Sequence, residues 1–249
     1  MSAPLLGLAL AGVRHGARHV VDPGGSAFAS RPLVLMLAMG ALSLLPFILL
    51  LMTSFVKIAV VLSILKGALG TPQIPPNQVI TGLALILTCY VMAPTGERMY
   101  RAIEPLLGRA AGADLMSSQT VDALGDASSK AREPLREFLI KHASGRDRAL
   151  FHGLALRLRA PAERAAITDH DFLVVLPAFL TSELRRAFEI GFLLFLPFLV
   201  VDMVIANLLL ALGMHMLTPT TVSLPFKLLL FVLADGWQLL LRGLVESYV

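Results

Sequence analysis

The sequence predicts an all-α membrane protein built from two long kinked helical hairpins, with four membrane segments and a small helical domain inserted between them. Three observations carry this. The 249 residues are 56% hydrophobic and only 15% charged, with mean hydropathy +0.76, whereas soluble domains average about 25% charged residues. The apolar residues gather in long runs separated by short Pro- and Gly-rich turns, the pattern of spanning helices joined as hairpins. Between the second and third runs, residues 97–171 hold twelve of the 21 Lys and Arg and eleven of the 17 Asp and Glu.

Residues 1–31 read as an N-terminal tail or an atypical signal. A short apolar run at 4–13 precedes Ala27-Phe28-Ala29, which has the small-residue form of a cleavage site. Arg14, His15, Arg18 and His19 follow the run instead of preceding it, the reverse of the usual charge order. The expectation is therefore a mobile, weakly basic tail.

Residues 32–96 read as hairpin one. The apolar stretch 33–65 would reach about 50 Å as a helix, against a hydrocarbon core of about 30 Å. It must kink, tilt or protrude. Pro46 is the expected kink, and Thr53-Ser54 can bend the helix further by bonding back to its carbonyls. Lys57 sits inside this run, where a charge faces protein or water. Gly70, Pro72, Pro75 and Pro76 mark the turn, and 79–93 is the returning run, ended by Pro94 and Gly96. Counting back from a tip near Gln73 puts Lys57 opposite Thr88, Cys89 and Tyr90, none of them acidic. Its counter-charge is expected in hairpin two or in another chain, unless the lysine snorkels to water.

Residues 97–171 read as a solvated helical domain. Leu135, Phe138 and Leu139 recur at helical spacing within 131–141, and Phe151, Leu154 and Leu158 suggest a second helix. Ser144 to Asp147 reads as a loop between them, and 112–129 as disordered.

Residues 172–249 read as hairpin two. Pro177 interrupts a first apolar stretch, and 191–212 and 222–241 form the arms, the first kinked at Pro197. In 182–189 the spacings Glu183–Arg186 and Arg185–Glu189 suit ion pairs on a helix surface, either a solvated face or a subunit contact. Asp202 and Lys227 lie 14 and 11 residues from a tip near Met216. On antiparallel arms they differ in height by about 4–5 Å, so they can pair. The tip, 213–221, carries Met214, His215 and Met216, and Pro219 and Pro225 are expected to break any continuing helix.

Several function classes find no support. The basic residues form no dense run interleaved with aromatics, so nucleic acid is not an expected partner. Cys89 is the single cysteine, which excludes an intrachain disulfide. The six histidines show no His-Glu-x-x-His spacing and no Gly-x-Ser-x-Gly occurs, so no enzyme, cofactor or metal is expected. A small-molecule transporter or a membrane scaffold fits the apolar spans, though no internal repeat of the transporter kind is evident.

The ordered motifs decide more. Ser43-Leu44-Leu45-Pro46-Phe47, Thr53-Ser54-Phe55-Val56-Lys57-Ile58, Ala68-Leu69-Gly70, Pro75-Pro76-Asn77, Gly82-Leu83-Ala84-Leu85 and Met92-Ala93-Pro94 occur in the first half. Pro177-Ala178-Phe179, Ser182-Glu183-Leu184, Ala187-Phe188-Glu189-Ile190-Gly191-Phe192, Leu196-Pro197-Phe198, Ala211-Leu212-Gly213-Met214, Leu224-Pro225-Phe226-Lys227 and Asp235-Gly236-Trp237 follow. In this order, from about Leu33 to Tyr248, they resemble the FliP/SctR family of type III secretion export-gate subunits.

The resemblance implies a channel-forming subunit in the bacterial inner membrane, multi-pass, within the secretion-system basal body. It implies a pentamer that joins two smaller export-gate membrane proteins, works with cytoplasmic export components, contacts membrane lipid and passes unfolded secreted proteins. It places the tip of hairpin two at a constriction, a methionine gasket of Met214, His215 and Met216, where the family pattern has three methionines. It puts the central domain outside the cytoplasm, whereas Arg14, Arg18 and Arg31 before the first run would put it inside. Lys57, Ala93 and Ser223 resemble the injectisome branch. Thr71-Pro72 and Asp235 to Gln238 resemble the flagellar branch, which is the alternative.

Methionine suits a closure that must repack around a moving chain, although Met214 and Met216 could instead fill a helix contact. A ring of charged imidazoles at His215 would repel itself, so low pH would loosen such a closure unless the ring points away from the lumen. Lys57, Glu183, Arg185, Asp202 and Lys227 are the expected subunit or inter-helix charge pairs.

Overall fold

The computed structural model describes residues 25–71, 75–110 and 118–249. All regular structure among them is helical, in the order α1 (Gly25–Leu51), α2 (Phe55–Ala68), α3 (Asn77–Ala110), α4 (Ser118–His142), α5 (Gly145–Leu158), a 3-10 turn (Pro161–Ala166), α6 (Phe172–Ala211), α7 (Pro219–Leu233) and α8 (Gly236–Glu246). The segment up to Leu45 and the segment from Pro46 onward pack as separate units. The second unit holds every site discussed below.

Its main core is built where α2 packs against α3 and α6, and residues of α7 and α8 complete it. Ile58, Val61, Leu62, Leu65 and Ala68 of α2 belong to one buried cluster with Ile80, Ala84, Ala187, Phe198, Phe231, Leu240 and Leu244. The approach of α2 to α6 depends on Gly191, where a Cβ would lie 2.4 Å from the Ile64 Cδ1 atom. A second cluster joins Phe138, Leu139 and Ala143 at the end of α4 to Val175, Ala178 and Phe179 of α6 and to Tyr248.

By length and apolarity, α3 (Asn77–Pro105) and α6 can each cross a membrane. The number of spans rises to four if each of two broken pairs, Met39–Leu51 with Phe55–Ala68 and α7 with α8, crosses as one.

Proline breaks fewer helices than the sequence suggests. α6 runs unbroken for 40 residues through Pro177, which does not interrupt it, and the expected kink positions Pro46 and Pro197 lie within continuous helices α1 and α6. α7 starts at Pro219, three residues before the expected Val222, and continues through Pro225. Proline at the first helical position has no amide to lose, which is why Pro219 initiates the helix.

The returning run does not end at Pro94. α3 continues to Ala110, so the expected boundary at 96/97 falls inside a helix. Beyond Pro94, Thr95 is buried and Arg98 binds Glu137 of α4 at 3.2 Å. Packing against α4 outweighs the one hydrogen bond that the proline removes.

The actual breaks lie elsewhere. Met52–Ser54 separates α1 from α2, and the Thr53 hydroxyl donates to the Leu50 carbonyl at 2.8 Å. α7 and α8 are bent by 62° at Ala234 and Asp235. Asp235 adopts φ +47°, and Gly236 lets the Phe231 ring sit where a Cβ would be 2.3 Å away.

The central segment is also more regular than expected. Residues 118–129, read as disordered, belong to α4, and 112–117 lie outside the described residues. Gly145 to Asp147, read as loop, are the first turn of α5. The tail residues 1–24 are likewise outside the described set, while Ala27 to Ala29 lie in α1.

Candidate functional site

The site consists of the tip of hairpin two and three polar clusters beneath it. The tip is the stretch between Ala211 and Pro219. Leu212 continues the last helical turn, donating to the Leu208 carbonyl at 3.0 Å, and Gly213 reverses the chain at φ +71°. A Cβ at that angle would be strained, so glycine is the suited residue. The Met214 amide donates back to the Leu209 carbonyl at 2.9 Å, closing the end of α6.

Beyond it, Met214, His215, Met216 and Leu217 are all exposed, Met216 to 97%. The His215 side chain has no hydrogen-bond partner among the described residues. Met214, His215 and Met216 thus form one protruding surface that the other described residues leave largely uncovered.

Directly below the tip, the arms of hairpin two are tied together. Lys227 of α7 donates to Asp202 Oδ2 of α6 at 2.6 Å, and the Ser223 hydroxyl, one turn up α7, donates to Asp202 Oδ1. Lys227 also donates to the Ala68 carbonyl at 3.2 Å, the last residue of α2. One ammonium group therefore links both arms of hairpin two to the end of α2, where α2 would otherwise leave carbonyls unmet.

The second cluster surrounds Glu183. Lys57 of α2 approaches Glu183 Oε2 at 3.5 Å, and both side chains are wholly buried. Arg186 binds the other oxygen at 3.1 Å. The Tyr248 hydroxyl donates to Glu183 Oε2 in a short hydrogen bond. The Lys57 ammonium lies 3.5 Å from the centre of the Tyr248 ring, close enough for a cation–π attraction. Burial, followed by the negative charge of Glu183 and the bond to it, raises the tyrosine hydroxyl well above its ordinary pKa, so it stays protonated and donating.

Tyr248 also stacks on Phe138 and meets His142 edge to face at 5.0 Å. Burial, with the positive charges of Lys57, Lys141 and Arg186 around it, pushes the His142 imidazole down to about 4. At neutral pH this ring is uncharged.

The third cluster joins α5 to α6. Asp147 accepts from the Ser182 hydroxyl and from Arg185, each at 2.7 Å, and the Ser144 amide donates to the Ser182 oxygen at 2.8 Å. Burial acts to raise the Asp147 carboxyl, but the bonds from Ser182 and Arg185 together hold it below the usual carboxylate range. This replaces the expected Arg185–Glu189 pair. Arg185 turns to the buried carboxylate of another helix, and Glu189 is left exposed with no partner among the described residues.

The sequence pointed to Lys57, Glu183, Arg185, Asp202 and Lys227 and left the partner of Lys57 open between hairpin two, another chain and water. The structure puts that partner at Glu183, within the same chain. Sequence reasoning missed Tyr248, His142 and Asp147. Asp147 was hidden by a loop reading, and Tyr248 lies 194 residues from Ser54, whose carbonyl it also meets at 3.4 Å, so no spacing rule could join them. Among the described residues no group of three His, Cys, Asp or Glu side chains is placed to hold a metal ion.

The sequence pattern described as the FliP family matches residues 38–244. The chain belongs to the FliP family. Relatives fall in both branches of it. The hypersensitivity response secretion protein HrcR of Ralstonia nicotianae is 48% identical over 208 residues, covering 84% of this chain and 93% of that protein. The Yop proteins translocation protein R of Yersinia pestis is 44% identical over 214 residues, 86% of this chain and 95% of that one. The flagellar biosynthetic protein FliP of Pectobacterium carotovorum is 48% identical over 208 residues, 84% of this chain and 75% of that one. The matched FliP region contains the tip, the Asp202–Lys227 tie and the Lys57–Glu183 pair.

Proposed function

We propose that this FliP-family chain is a channel-forming subunit of a type III protein secretion export apparatus in the bacterial inner membrane. Copies of it assemble as a ring, a pentamer in this reading, together with two smaller membrane proteins and the cytoplasmic export components. Unfolded proteins pass through the ring. The role is that of a conduit and gate, not of a catalyst. The driving energy comes from elsewhere, because the sequence has no nucleotide-binding loop.

The observation that carries this reading is the tip of hairpin two. Met214, His215 and Met216 protrude, largely uncovered by the other described residues, on a loop whose base is fixed by Lys227, Asp202 and Ser223. A flexible apolar rim on a rigid base is what a closure needs if it is to seal when idle and repack around a moving chain. In a ring, five such tips converge and form the constriction.

The test is conductance. The assembled complex is reconstituted in planar bilayers, wild type beside a Met214→Ala, Met216→Ala double variant. Ion leakage rises in the variant while the complex assembles to the same yield. Leakage equal to wild type would remove the tip from the constriction, and no conductance from any form would favour a scaffold.

Within the family we assign the chain to the injectisome branch, supported by Lys57, Ala93 and Ser223 and by near end-to-end coverage of the Ralstonia and Yersinia relatives. The flagellar branch is the second reading, favoured by the equal identity to the Pectobacterium protein. Complementation separates them: the gene restores effector secretion to a strain lacking its injectisome subunit and leaves a strain lacking the flagellar one non-motile.

A further inference from the structure

Glu189 is a carboxylate in the wrong company. It lies on α6, a 40-residue apolar helix long enough to cross a membrane. Its neighbours Phe188 and Phe192 are both exposed, and so is Glu189 itself. The arginine four residues before it, which helix spacing would supply as its partner, is committed to Asp147. An unpaired carboxylate on such a helix faces protein or water and not hydrocarbon, so this face of α6 does not lie against lipid.

The same chain carries a cation with the complementary deficiency. Lys66, in the last turn of α2, binds the neutral Asn77 side chain at 2.6 Å, and among the described residues it meets no carboxylate. Its height relative to Glu189 can be read from the α2–α6 packing. Lys57 stands against Glu183, and Ile64 stands against Gly191, so the two helices run in the same direction in nearly constant register. Lys66 is then level with about residue 193, four residues from Glu189, a difference of about 6 Å along the axis. The two groups do not meet within one chain, because Lys66 turns toward α3 and Glu189 toward the open face of α6.

We infer that Glu189 of one copy pairs with Lys66 of the next copy in the ring, with Phe188 and Phe192 packing beside the pair. A rotation axis running roughly along α2 and α6 preserves heights, so the similar level of the two groups in one chain becomes proximity between chains. The contact is heterologous: each copy offers the acid on one side and the base on the other, which closes into a ring instead of a dimer. This inference rests on the homo-oligomeric reading above and adds the residues that make the contact.

The experiment uses the full chain co-expressed with its gate partners. Glu189→Lys lowers the yield of the oligomer on native gels by about tenfold or more, because it sets two lysines against each other. The double variant Glu189→Lys, Lys66→Glu restores it. In a Cys89→Ser background, Lys66→Cys and Glu189→Cys together give multimers with a short bis-maleimide linker, and each single cysteine gives none. If the wild type forms the ring but Glu189→Lys assembles normally, or if the swap fails to rescue and no cross-link forms, the pairing is overturned while the export-gate reading stands. If the wild type forms no homo-oligomer under any condition, both fall together.

Discussion

Lys57 of α2 and Glu183 of α6 face each other at 3.5 Å with both side chains fully excluded from solvent. Glu183 is the hub of this contact, since Arg186 and the Tyr248 hydroxyl use it as well. Among the described residues the Lys57 ammonium makes no hydrogen bond. Its stabilisation comes from the nearby carboxylate and from the Tyr248 ring beneath it.

Removal of one partner should therefore cost far more than removal of both. Glu183→Gln leaves a buried ammonium without a counter-charge, a loss of about 3–5 kcal/mol for such pairs. The double variant Lys57→Met, Glu183→Leu removes both charges and should recover most of that loss. Tyr248→Phe keeps the ring and deletes only the hydroxyl, at about 1–3 kcal/mol. Thermal unfolding of the detergent-solubilised protein ranks the four forms. A double variant as unstable as Glu183→Gln would show that the pair does not act as a unit.

His142 gives the fold a defined acid limit. Its imidazole is held at about 4 in the folded protein, against an ordinary value near 6.5. Between those values the unfolded chain binds a proton that the folded one does not, so stability rises with pH across the window. The contribution is complete above about pH 6.5 and lost as the pH falls to about 4, on the order of 3 kcal/mol in full. His142→Phe keeps an aromatic between Phe138 and Tyr248 and has no proton to bind. Its unfolding midpoint should fall less than that of wild type between pH 6.5 and 4.5. Parallel curves for the two proteins would exclude His142 as the cause.

The Asp202–Lys227 pair was legible in the sequence because two antiparallel arms about a short tip fix relative height by counting. The partner of Lys57 was not, since Glu183 becomes its neighbour only when α2 lies along α6, a packing that depends on Gly191 and Ile64. Local rules failed where tertiary contacts opposed them. The four-residue spacing of Arg185 and Glu189 favours a surface pair worth a few tenths of a kcal/mol. Asp147, held nearby by Ser182 and nearly inaccessible to water, offers Arg185 a stronger, less screened partner. Prolines were over-read for the same reason. Pro94, Pro177 and Pro225 each remove one backbone bond, while the helices around them bury whole faces. The two short breaks that bend otherwise paired apolar helices, Met52–Ser54 and Ala234–Asp235, contain no proline at all.

Lys227 connects the tip of hairpin two to hairpin one, and its substitution should separate two effects. Lys227→Met preserves the length and apolar volume of the side chain but removes three donors. Asp202 then keeps only the Ser223 hydroxyl, and the Ala68 carbonyl at the end of α2 loses its bond. A charge-assisted bond of this kind contributes about 1.5–3 kcal/mol, so the fold survives in weakened form. The larger effect falls on the tip, whose two arms are no longer tied to α2. Leakage through the reconstituted complex should rise as it does for the Met214 and Met216 variants, with an intact methionine rim. Asp202→Asn keeps a carbonyl for Lys227 and should leak less than Lys227→Met. Conductance of the three forms at equal complex yield measures this order, and a tight Lys227→Met complex would show that the base of the hairpin does not set the closure.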